Sequence, residues 1–150
     1  MGKIDIGLIK KLREETGVAF IRIREVLEDV KGSEKEALVI LKKEGLAKAE
    51  KREGRVTSQG KIFVYTHHTG KVVGVVELLC ETDFVAKNEL FENLGREVAM
   101  QAASMGEVDL EKQDFIKDPS KKVLDLVKEV IAKTGENIRI GRVFRVELGK

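Results

Sequence analysis

Glycine cuts the first 45 residues at nearly regular intervals, at Gly17, Gly32 and Gly45. Each follows a stretch whose apolar residues recur every three or four positions. Ile6, Ile9 and Leu12 line the first stretch, Phe20, Ile23, Leu27 and Val30 the second, and Ala37, Leu38 and Leu41 the third. That spacing predicts amphipathic helices. Glycine is favoured just past a helix end because it takes left-handed backbone without a Cβ clash. Ser33 followed by Glu36 has the pattern of a capping box opening the third helix. Helices this short are unstable alone, so the pattern requires them to pack together. A three-helix bundle over residues 1–45 is the result, near the lower size limit for independent folding.

Residues 46–60 read differently. Ala, Lys, Glu and Arg dominate up to Arg55, and Thr57-Ser58-Gln59-Gly60 then breaks any helix. A short helical turn followed by a linker is expected, and with it a domain boundary. The remainder, 61–150, opens with strands. Lys61–Thr66 is rich in β-branched and aromatic residues, His67-His68-Thr69-Gly70 is a turn, and Val72–Leu79 is a dense apolar run. Together they predict a hairpin whose second strand is central and covered on at least one face. Helical spacing returns from Asn88 to Ser104 and stops at Gly106. A polar link, 107–120, holds the single proline, Pro119. Val123, Leu126, Val127, Val130 and Ile131 mark another helix closed by Gly135, and Ile138–Val146 ends the chain as a strand. Its alternation slips near Gly141, where a bulge is expected. The expected fold is α+β: a three-helix bundle followed by a three-stranded antiparallel sheet with two helices packed on it.

Composition excludes several function classes. With 28 Lys and Arg against 26 Asp and Glu, the chain lacks the strongly basic balance of a dedicated nucleic-acid binder. The charge is nevertheless uneven. Residues 42–61 hold seven basic and three acidic side chains, whereas residues 77–114 hold ten acidic and three basic ones. Such runs are either two solvated faces or a bipolar surface that orients a protein partner. One cysteine, Cys80, allows no internal disulfide and no cysteine metal site, which suits a reducing cytoplasm. No run of about 18 apolar residues occurs, and the N-terminus lacks a signal-peptide core; neither a membrane span nor export is expected. His67 and His68 are adjacent in a turn with no third ligand at metal-binding spacing. No phosphate-binding glycine loop and no nucleophile–base arrangement is present. The residues point away from an enzyme and from a metal or cofactor.

What stands out is Cys80-Glu81-Thr82-Asp83-Phe84-Val85-Ala86-Lys87-Asn88, where the central strand stops and the next helix begins. Thr82 or Asp83 can cap a helical turn. Phe84 has two readings: an aromatic folded into the core, or an exposed wedge beside a carboxylate, the usual anchor of a protein interface.

The segment Glu81–Asn88 resembles the signature of the elongation factor Ts family. Leu8-Ile9-Lys10-Lys11-Leu12-Arg13-Glu14-Glu15-Thr16-Gly17 resembles the first helix of that family's ubiquitin-associated-like domain. Gly135-Glu136-Asn137-Ile138-Arg139-Ile140-Gly141-Arg142 resembles its closing strand. All three stand in the family's order, and the resemblance covers nearly the whole chain. The resemblance implies a ubiquitin-associated-like bundle joined to a core domain of dimerisation type. It implies a guanine-nucleotide exchange factor for elongation factor Tu, without catalytic chemistry of its own. In the family an Asp-Phe pair, matching Asp83 and Phe84, intrudes near the magnesium site of the GTPase and displaces elements that hold Mg²⁺ and the β-phosphate. Thr82, Asp83, Phe84 and Val85 are thereby implied as the partner-binding motif. Leu12, Thr16, Gly17, Val18 and Phe20 are implied as a second contact made by the bundle.

The chain departs from the family pattern at Phe20-Ile21-Arg22-Ile23-Arg24, where members commonly show a Met-Met-Asp-Cys-Lys type of segment. Arg22 thus replaces an acidic residue. Many members also carry a second core half or a long helical hairpin, and only the short polar link stands here. A single core half implies that two copies pair, with the open edge of the sheet as the expected contact. Phe144 stands where some short members have cysteine, so a covalent dimer is not expected. Two other readings stay open on sequence: a bundle that captures some other protein, and an RNA-associated protein using residues 42–61. The second would bind with steep salt dependence, but few aromatics are available for base stacking.

Overall fold

The computed structural model describes residues 3–150. The α+β expectation holds. Helices α1 (Ile6–Thr16), α2 (Phe20–Asp29) and α3 (Glu34–Arg52) come first. Strands β1 (Gln59–Thr66) and β2 (Val72–Cys80) follow, then the one-turn helix α4 (Asp83–Ala86) and helix α5 (Glu89–Met105). A two-stranded β3–β4 ribbon (Asp114–Phe115, Asp118–Lys122) precedes α6 (Val123–Thr134) and the last strand β5 (Ile138–Glu147). The main sheet is antiparallel in the order β1-β2-β5, so β2 is central.

The bundle is built largely as its spacing predicts, except that Ile6 and Phe20, read on the same stripes, are exposed. Ile9, Leu12, Ile23, Leu27, Ala37 and Leu41 are buried together with Val18 and Val26. Gly17 ends α1 in the left-handed region (φ 69°). Ser33 caps α3 by accepting the Glu36 N–H. Gly45 behaves otherwise. It was expected to end the third helix, yet α3 runs through it to Arg52. The reason is packing. A Cβ on Gly45 would stand 3.4 Å from the Ala132 Cβ of α6, so the glycine lets two helices cross closely instead of stopping one. The second half of α3 then sends Ala49 into the other hydrophobic cluster, which also holds Val76, Leu78, Phe91, Val98, Val127 and Ile138. The short helical turn expected at the start of 46–60 is therefore the continuation of α3 to Arg52.

In the sheet, Phe63, Tyr65, Val76, Leu78, Ile140 and Val143 face α5 and α6. Ile140 and Val143 are three residues apart, and regular alternation would put them on opposite faces. A bulge resolves this: Val76 pairs with Val143 and Leu78 with Ile140, leaving Gly141 and Arg142 opposite Glu77 alone. Glu77 accepts from the Arg142 N–H and guanidinium. Helix α5 reaches the sheet through two glycines. Gly95 faces the ring of Phe63, and Gly74 faces the α5 backbone, where an added Cβ would stand 2.7 Å from Ala103 N. Residues 107–120, expected to be a polar link, lie in a segment that forms a turn at Leu110–Lys112 and the small ribbon ending at Lys122. Gln101 holds this segment from α5. Fully buried, it donates to the Asp114 carbonyl and accepts from the Ile116 N–H.

The opposite sheet face is bare. Val64, Val75 and Phe144 stand side by side across the three strands, as do Thr66, Val73 and Val146. Val64 is 61% and Phe144 55% exposed.

Two outcomes follow from this packing. Gly74→Ala must push α5 off the sheet, so urea titration should show a loss of about 1–3 kcal/mol, the usual cost of overpacking. Cys80 is fully buried at the end of β2, and burial, with the nearby Glu136 charge, pushes its thiol up to about 11 from 9.0. The folded chain should resist a thiol-directed disulfide reagent at neutral pH, while the unfolded chain reacts at once. Because the unfolded thiol ionises first, the stabilising contribution is present below pH 9 and is lost as pH rises toward 11. The alkaline stability loss should exceed that of Cys80→Ala.

Candidate functional site

The sheet and α5 leave one corner between them, at Glu81–Asn88. Thr82 is extended (φ −125°, ψ 157°) and its hydroxyl accepts the Val85 N–H at 3.4 Å, opening α4. Asn88 caps α5 by accepting the Leu90 N–H at 2.8 Å. Two caps six residues apart confine α4 to a single turn. One face of that turn, Val85 and Ala86, is buried in the core. The other face carries Asp83 and Phe84 into solvent, and Phe84 is 83% exposed. Leaving a phenylalanine in water forgoes about 2 kcal/mol of burial. Of its two sequence readings, burial in the core is excluded: Phe84 stands exposed beside Asp83. Asp83 has only a loose neighbour, Lys87, at 3.8 Å.

The corner is held from behind by the turn that joins α6 to β5. Glu136 accepts the Thr82 N–H at 2.9 Å with one carboxylate oxygen and the Thr82 hydroxyl at 2.6 Å with the other. The Cys80 thiol donates to the Thr82 carbonyl at 3.1 Å. Gly135, left-handed at φ 77°, caps α6, and its carbonyl accepts the Arg52 guanidinium of α3. Asn137, buried, donates to the Arg55 carbonyl at 2.9 Å. Arg55 in turn lies 3.8 Å from Glu81. Sequence reading singled out the segment 135–142 as a strand and missed Glu136 as a support. Its partner is 54 residues away in the chain, and no local pattern encodes such a contact.

Of the bundle residues, Leu12, Thr16 and Val18 are buried. Thr16 donates its hydroxyl to the Leu12 carbonyl and accepts the Val18 N–H, shaping the turn after α1. Gly17 presses against α6, where an added Cβ would stand 2.7 Å from the Lys133 Cα. Phe20 alone among the five offers a large apolar surface, at 39% exposed. Arg22, the departure noted above, binds Glu44 at 2.6 Å and Glu25 at 2.9 Å. It ties α2 to α3 and pulls the Glu44 carboxyl below its ordinary range. The two charge runs also meet within the chain, through Lys61–Glu92 at 2.6 Å and Arg55–Glu81. They are therefore partly self-neutralising.

His67 and His68 sit in the hairpin turn with ring centroids 4.2 Å apart, and the Tyr65 hydroxyl stands 3.2 Å from His67 Nδ1. Among the described residues no cluster of His, Cys, Asp and Glu is arranged to hold a metal ion. No helix among them is long and apolar enough to cross a membrane.

Comparison with known proteins converges on one family. Residues 81–150, the corner and everything after it, match the family model described as Elongation factor TS. Elongation factor Ts of Maridesulfovibrio salexigens is 36% identical over 195 aligned positions, which span 98% of this chain and 95% of the relative. Elongation factor Ts of Leptospira biflexa is 37% identical, spanning 94% of this chain and 96% of the relative. That of Thermotoga petrophila is 35% identical, spanning 99% and 98%. The aligned lengths exceed the 150 residues of this chain, so these relatives carry segments it lacks. Likeness of this extent, over both the bundle and the body, means that the chain belongs to the elongation factor Ts family.

Proposed function

We propose that this protein is a guanine-nucleotide exchange factor for elongation factor Tu, and that Asp83 and Phe84 are its working end. The observation that carries the reading is Phe84. It is an 83% exposed aromatic on a one-turn helix capped at Thr82 and anchored by buried Val85 and Ala86. A rigid apolar side chain beside an acidic one suits insertion between elements of a partner, where few rotamers need ordering. Near a nucleotide-bound magnesium the wedge displaces the groups that hold the ion and the β-phosphate. Without the ion's charge the diphosphate is held weakly. The factor supplies no reacting group. It binds the empty GTPase better than the loaded one, and reciprocity then requires it to lower nucleotide affinity.

In this reading the bundle, residues 1–45, makes the second contact through the exposed side of Phe20. Leu12, Thr16, Gly17 and Val18 shape the surface beneath it. Residues 46–60 join the bundle to the core domain, 61–150. The protein works in the cytoplasm, with neither nucleic acid nor membrane as a partner. Two copies pair through the bare sheet face. The sequence placed that contact on the sheet edge, but the row Val64–Val75–Phe144 and its neighbours favour the face, since exposed apolar patches of this kind mark interfaces.

The test of exchange is the release of a fluorescent GDP analogue from elongation factor Tu. This protein should accelerate release strongly. Phe84→Ala should remove about 2 kcal/mol of that effect, which is about 30-fold. Asp83→Ala should cost less, about fivefold. No acceleration by the wild-type protein at micromolar concentration overturns the reading.

Pairing is measured separately by sedimentation equilibrium. A dimer is expected at high concentration and should be abolished by Phe144→Lys. A wild-type protein that stays monomeric refutes it.

A further inference from the structure

We propose that Glu136 is a positioning residue for exchange: its carboxylate, held on the α6–β5 turn, aims Phe84 by clamping Thr82. The inference rests on the wedge reading above and deepens it. A four-residue helix does not hold its own geometry, so something outside α4 must fix the direction of its exposed face. Two candidates exist on the N-terminal side. The cap from the Thr82 hydroxyl to the Val85 N–H is long, at 3.4 Å. The contacts from Glu136 are short, at 2.6 and 2.9 Å, and involve an ionised acceptor, which makes them the stronger pair. With them every polar group of Thr82 is engaged. Its N–H and hydroxyl donate to Glu136, and its carbonyl accepts the Cys80 thiol and the Ala86 N–H.

Glu136 can act as a fixed point because its own turn is fixed on both sides. Gly135 is tied to Ile131 by the helix cap and to α3 through Arg52, and Asn137 is tied to the Arg55 carbonyl. Both carboxylate oxygens face Thr82, so the residue works through the corner and not by touching the partner. Loss of the clamp leaves Phe84 present and exposed but free to lean. Misplacement of about 1 Å is enough to cost a large factor in a rate that depends on insertion.

The experiment is a double-mutant cycle read by release of the fluorescent GDP analogue, with Phe84→Ala, Glu136→Ala and both together. Factor concentration is varied to separate the saturating rate from the half-saturating concentration. Positioning predicts that Glu136→Ala lowers the saturating rate about tenfold, with half-saturation changed less than about twofold. It also predicts that adding Glu136→Ala to Phe84→Ala slows release no further. Glu136→Gln keeps an acceptor for the Thr82 N–H and should restore part of the rate; if Glu136→Ala does not fold, the same cycle is run with Glu136→Gln. A wild-type rate in the Glu136 variant overturns the proposal, as does a full additional loss in the Phe84→Ala background, which a general structural defect produces. If Phe84→Ala itself leaves exchange unchanged, the wedge reading fails and this inference falls with it.

Discussion

Three parts of the chain lean on the last turn of α6. Gly17 at the end of α1 sits against Lys133, Gly45 inside α3 sits against Ala132, and Arg52 at the end of α3 reaches the Gly135 carbonyl. One residue further on, Glu136 takes hold of Thr82. The bundle, the sheet and the exposed corner thus share a support of about six residues. Close crossing is what makes this possible. A side chain at position 17 would overlap the Lys133 backbone and drive the helices apart, whereas a methyl at position 45 would just reach contact distance with Ala132.

That arrangement explains which parts were legible in the sequence. Periodicity located both long helices of the body, the central position of β2 and the bulge at Gly141, because each leaves a local trace. In β5 the trace is an apolar spacing that changes from even to odd. Gly45 was misread because glycine has two uses in a helix: ending it, or letting another helix approach. Only the neighbour, Ala132, distinguishes them. The β3–β4 ribbon was missed because its strands are short and polar and are organised from outside by Gln101. Glu136 was invisible as a support for the same reason: its meaning lies in a contact with Thr82, far away in the chain.

Phe84 is the opposite case. Burial statistics favour putting an isolated phenylalanine inside, the strand-to-helix corner left both readings open, and the resemblance of Thr82–Asn88 to a known family favoured exposure. The geometry accounts for the exception. Val85 and Ala86 occupy the inward face of α4, and one helical turn cannot bury both faces. A local rule is broken at the place where the proposed function needs it to be broken, which is the expected signature of a working site.

Rigid support of an exposed wedge has a thermodynamic purpose in the proposed exchange. The factor must bind the empty GTPase well enough to hold it open, yet leave when a new nucleotide enters. Its useful energy is therefore the difference between its affinities for the two states, not the sum of its contacts. A flexible Phe84 would spend part of that difference on its own ordering and would fit several partner conformations nearly equally. A clamped one is complementary chiefly to the displaced arrangement. In the proposed exchange, contacts made by the bundle away from the nucleotide would strengthen both states alike and discriminate little. Discrimination therefore falls to the corner, and with it to the hydrogen bonds between Glu136 and Thr82 that hold the corner in place.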